Sequence, residues 1–104
     1  MALTQDQKKR FRKIGHHLKP VVMVAEAGLT EGVMNELERA LEDHELIKVK
    51  LAVLDRETKA AIVESICETT GAINAQMIGK MALLYRPAKK PNPKLSNLLR
   101  FSEI

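Results

Sequence analysis

Tryptophan is absent from these 104 residues, and the aromatic complement is only Phe11, Tyr85 and Phe101. Phe11 falls on an apolar helix face and Tyr85 in a strand, so no platform for stacking splayed bases is expected. A single cysteine, Cys67, excludes an internal disulfide and fits a reducing cytoplasm. It reads as a small core residue rather than a nucleophile. With only three histidines beside it, a metal site is not expected. No apolar run approaches the roughly 20 residues that span a bilayer, so no membrane partner is expected. The opening MALTQDQKKRFRK has no apolar segment before a cleavage site and is not expected to act as a secretory signal. There is no P-loop, no GxGxxG after a strand and no serine in a nucleophile elbow. An enzyme is therefore not expected, nor a cofactor.

Charge is present in quantity, and it is unevenly placed. Residues 1–24 hold six Lys/Arg against Asp6, whereas residues 25–45 hold Arg39 against seven acids. Residues 46–70 balance four against four, and residues 71–104 hold six basic residues against Glu103. The formal net charge is +4, but the chain is basic at both ends and acidic between them. Such polarity can orient a domain on a nucleic acid, where an even mixture would only solubilise it.

The periodicity resolves into seven elements. Thr4 and Gln7 form a capping box, and TQDQKKRFRKIGHHL continues as a helix stopped by Pro20. Gln7, Phe11, Ile14 and Leu18 share one side of it. Lys8, Lys9, Arg12, Lys13, His16 and Lys19 form an acid-free basic stripe on the rest. VVMV is a short strand, Gly28 a turn at positive φ, and Thr30 the cap of a second helix. That helix carries Glu31, Glu36, Glu38, Glu42 and Asp43 on its exposed side, a face that should point away from any phosphate. His44 follows it and helps to finish it electrostatically.

In ELIKVKLAVL, Ile47, Val49 and Leu51 alternate with Lys48 and Lys50, which predicts a strand with one buried and one partly basic face. Asp55 caps a third helix that ends at Gly71. AINAQMIGKMALLYRP predicts a hairpin turning at Gly79-Lys80, whose second strand is apolar on both faces and so central and covered. The chain is thus an α/β domain of order α-β-α-β-α-β-β, a two-layer sandwich with a mixed four-stranded sheet. The first two strands are parallel if adjacent. Residues 1–87 form the domain. Residues 88–104, with Pro91, Pro93 and four basic residues, read as a flexible basic tail in which SNLLRF could dock as a helical turn.

The ordered succession LKP, GLTEGV, HELIKVK and IGK…LYRP resembles the CRM-domain family of RNA-binding proteins, and more narrowly its stand-alone bacterial YhbY-like members. The resemblance implies a fold similar to the C-terminal domain of translation initiation factor three. It also implies RNA binding and, for the bacterial members, association with precursors of the large ribosomal subunit. It further implies a GxxG loop after the first strand, reminiscent of the backbone clamp of KH domains. Here the four positions are Ala25, Glu26, Ala27 and Gly28, so one glycine of the pair is missing. Glu26 and Glu31 offset the positive field of the loop and the helix start at Thr30. The loop either positions RNA through Gly28 and Thr30 or is only a turn.

Arg12, Lys13, Lys19, Lys80 and Arg86 are the candidates for phosphate contact. For Arg86 the alternative is a carboxylate partner within the fold. Lys48 and Lys50 either join the contact or only solvate an open face. The expected function is binding of structured ribosomal RNA, mainly through its backbone, by a monomeric cytoplasmic assembly factor. The alternative is a protein-interaction module whose acidic second helix holds a basic partner.

Overall fold

The computed structural model describes residues 3–101; Met1, Ala2 and the last three residues of the expected tail lie outside the described residues. The elements are α1 (Gln5–Gly15), β1 (Pro20–Val24), α2 (Glu31–His44), β2 (Leu46–Leu51), α3 (Arg56–Thr70), β3 (Ile73–Ile78), β4 (Met81–Tyr85) and a final turn of helix, α4 (Asn97–Arg100). The strands form one mixed sheet in the order β1-β2-β4-β3. β1 runs parallel to β2, and β4 is antiparallel to both of its neighbours. The sequence order and the central position of β4 are therefore as the pattern predicts.

Local chemistry starts and stops these elements where it should. Thr4 and Gln7 complete their capping box, and Thr30 and Asp55 accept from the third residue of their helices. The Asp55 carboxylate also accepts from the Thr58 hydroxyl, which with the Thr58 amide holds its pKa below the ordinary aspartate value. Gly79 has φ +56°, and among the described residues only Glu45 is a non-glycine residue at positive φ. A positive φ at the first loop position alone fits the II′ hairpin and excludes I′.

Alternation along β2 divides the molecule. Ile47, Val49 and Leu51 join Val22, Val24, Leu37, Leu41, Val63, Ile66 and Leu84 in a core beneath α2 and α3. Cys67 packs at its margin, where burial pushes its thiol pKa up, away from reactivity. Leu46 points to the opposite face and meets Phe11, Ile14 and Leu83 in a smaller cluster beneath α1, with Tyr85, Leu98 and Phe101 at its edge. Phe11 and Tyr85 pack ring against ring, 4.8 Å between centroids. Both are thereby committed to packing, as their positions in the sequence imply.

α1 ends at Gly15, three residues before the predicted stop. The His17 and Leu18 amides bond back only three residues, to the Ile14 and Gly15 carbonyls, which tightens and ends the helix well before Pro20. Gly15 also sits directly on the sheet, where an added Cβ would lie 3.0 Å from a Leu83 methyl. Gly15→Val should therefore lift α1 or displace Leu83, costing about 1–3 kcal/mol. A lowered urea midpoint at unchanged slope would show it, and an unchanged midpoint would mean that the approach is not tight.

The stretch expected as a flexible tail is placed against the domain as far as Phe101. Ser96 and Asn97 are buried, and Leu98 packs beside α1. No helix among the described residues is long and apolar enough to cross a membrane.

Candidate nucleic-acid interface

One helix of 11 residues is about 16 Å long and cannot cover a whole face of a four-stranded sheet. α1 covers the end nearest Leu46 and Tyr85 and leaves the other end open. The open end is where β1 and β2 finish and where the β3–β4 hairpin turns. It is tied together by the Leu51 amide donating to Lys80 O and the Ala52 amide donating to Val24 O, both at 2.7 Å. The loop after β1 and the hairpin holding Lys80 therefore share one rim.

Across the open face the register aligns Met23, Lys50, Met81 and Ile78, one from each strand. The next row holds Lys48, Leu83 and Gln76. Between this face and α1 lies a cavity of about 230 Å³ bordered by Arg12, His16, Lys48, Gln76 and Met81, with no carboxylate in its lining among the described residues. Arg12 and His16 stand four residues apart, on one ridge of α1. α2 and its acids lie beneath the other face, as the expected separation from phosphate requires.

The candidates predicted from the sequence sort accordingly. Arg12 borders the cavity, Lys80 is exposed on the hairpin between Ile78 and Met81, which border the cavity too, and Lys13 is exposed on α1. Lys19 is exposed too, but at the far end of the sheet, beside His17, His44 and Arg100. Arg86 is held inside the fold. Its guanidinium donates to Glu38 Oε2 at 2.7 Å and to Thr70 O at 3.0 Å, with Glu42 at 3.7 Å. The carboxylate partner, the alternative weighed for this residue, is the arrangement present, and it leaves Arg86 little to offer a phosphate. The ion pairs among the described residues are those of Arg86, so Arg12, Lys13, Lys48, Lys50 and Lys80 keep their charge unpaired.

Gly28 has the expected positive φ, +77°. Its amide donates to Ala25 O, the Thr30 amide donates to Gly28 O, and the Thr30 hydroxyl caps Val33. These groups are consumed by the turn. The Glu31 and Gly32 amides are left without an acceptor among the described residues, at a helix start that Glu31 itself makes less attractive to anions.

Met23, Ile78 and Met81 were not legible as site residues. The alternation in β2 does show a basic face, but which helix covers it, and how much, depends on tertiary placement.

Comparison with known proteins agrees with this architecture. The model of the CRS1 / YhbY (CRM) domain matches residues 3–86. A probable RNA-binding protein of Pseudomonas aeruginosa is 61% identical over 104 residues, the whole of both chains. An RNA-binding protein of Haemophilus influenzae is 48% identical over 93 residues, 89% of this chain and 94% of its own. Among solved structures, a hypothetical Staphylococcus aureus protein described as a candidate RNA binder superposes with a TM-score of 0.75 at 29% identity, over 91% of this chain and 98% of its own.

Proposed function

This chain belongs to the CRS1 / YhbY (CRM) domain family, and from that premise we propose that it binds structured RNA through the backbone as a non-catalytic factor in assembly of the large ribosomal subunit. The observation that carries the RNA reading is the cavity bordered by Arg12, His16 and Lys48, without a carboxylate in its lining among the described residues, beside an open sheet face and the hairpin that exposes Lys80. Unpaired cations on one side, with the acids of α2 on the other, present a single signed surface to a polyanion. The names of the relatives, RNA-binding proteins, favour the same partner. Ribosomal RNA and the assembly role follow from the resemblance to the stand-alone bacterial members, and a cytoplasmic location goes with that reading. A monomer suffices, because the rim is complete within one chain.

The test is fluorescence anisotropy of a folded ribosomal RNA fragment titrated across a salt series. Log affinity should fall linearly with log salt, at a slope corresponding to roughly three to six neutralised phosphates. Absence of binding at low salt would overturn the RNA reading. The protein-interaction alternative is weakened by Glu38 and Glu42, two of the acids it would use, which are engaged by Arg86. Charge reversal at Glu36, which leaves that pair intact, should keep RNA affinity equal or raise it.

A further inference from the structure

The open half of the sheet is more apolar than phosphate binding requires. Met23 is 56% exposed and Ile78 61%. Met23 and Ile78 end a row that crosses all four strands through Lys50 and Met81. Three strand spacings make that row about 14 Å wide. A surface that only neutralises phosphates gains nothing from methionine and isoleucine held in water. A paired RNA helix, moreover, turns its phosphates and sugars outward and keeps its base faces stacked within.

We propose that this row receives the bases of unpaired nucleotides adjoining the helix that the cations hold, so that the ligand is a helix–single-strand junction. The proposal rests on the RNA reading above and specifies its substrate. Unpaired bases alone among RNA groups present flat apolar faces, and every base has one, so such contact tolerates any sequence. Methionine is suited to it, being flexible and polarizable enough to settle against an aromatic ring. Arg12, His16 and Lys48 flank the row, and Lys50 lies within it, at the places where the connecting phosphates would run. Their charge also argues against a second copy of this chain as the occupant. A two-fold contact across this face would bring the positive patch of Lys48, Lys50 and Arg12 against the same positive patch of the second copy.

The experiment compares two RNAs of equal nucleotide number. One is a blunt stem closed by a tight loop; the other is a shorter stem with a single-stranded extension carrying 2-aminopurine. The junction RNA should bind at least about fivefold tighter than the blunt stem, and its 2-aminopurine emission should change on binding. The M23S/M81S double variant should erase the roughly fivefold advantage of the junction RNA over the blunt stem, lose the 2-aminopurine response, and keep the salt slope. Equal affinity of the wild-type protein for both RNAs, with silent 2-aminopurine, would overturn the proposal and leave backbone binding standing. Binding to neither RNA at low salt would overturn both. A concentration-dependent dimer abolished in M23S/M81S would assign the row to a second copy and overturn the proposal. The wild-type comparison decides the matter even if the double variant fails to fold.

Discussion

Exchanging Arg12, Lys48 and Lys80 together for glutamine should lower affinity for a folded RNA by two to three orders of magnitude at about 0.1 M salt, with the fold kept. Each cation that neutralises a phosphate adds about 0.9 to the dependence of log affinity on log salt, so at 0.1 M each is worth roughly tenfold. Three lost contacts multiply to roughly 500-fold, and the slope should fall by about three. Lys80→Glu alone should weaken binding several-fold or more, because Lys80 is exposed on a tight hairpin and its side chain is in no ion pair among the described residues. Lys19→Gln, at the far end of the sheet, should do less. A triple variant no weaker than Lys80→Glu would disperse the proposed interface. An unchanged slope would mean that the attraction is not electrostatic.

The elements that were legible are those decided locally. Caps at Thr4, Thr30 and Asp55, the turn at Gly79 and the alternation in β2 each depend on a few neighbouring residues, and each is found where the pattern places it. Lys80 could be read as exposed for the same reason, since a two-residue hairpin has nowhere to hide a lysine. What could not be read depends on distant packing. β4 looked covered on both faces, yet Met81 is only half-buried, because α1 stops at Gly15 and reaches no further across the sheet. Arg86 looked like either a phosphate ligand or an ion-pair member. Only the placement of α2 beside the end of β4, which brings Glu38 to 2.7 Å, decides between them. Composition was least informative in the last stretch, where prolines and lysines describe the linker but not the residues after it.

Those residues yield the second large effect. Truncation after Pro87 should destabilise the domain by about 2–5 kcal/mol, a large part of the roughly 5–15 kcal/mol that holds a domain of this size. Glu45 links α2 to β2 with φ +61°, a conformation that costs a non-glycine residue of order 1–3 kcal/mol. It is nevertheless buried, because its carboxylate accepts from the Ser96 hydroxyl at 2.7 Å and the Ala88 amide at 2.9 Å. Asn97 donates to Leu46 O at 2.7 Å, and the Arg10 guanidinium donates to Leu98 O at 2.8 Å. Truncation removes these bonds, at about 1 kcal/mol each net, and strips Leu98 and Phe101 from the cluster under α1. Ser96→Ala is the milder version: it leaves a buried carboxylate oxygen without its hydroxyl donor and should cost about 1–3 kcal/mol. Urea unfolding checks both. A truncated chain with the full-length midpoint would mean that the stretch is the mobile tail its composition suggests. A lowered midpoint with weakened RNA binding would mean that α4 also holds α1, and with it Arg12, in place over the sheet.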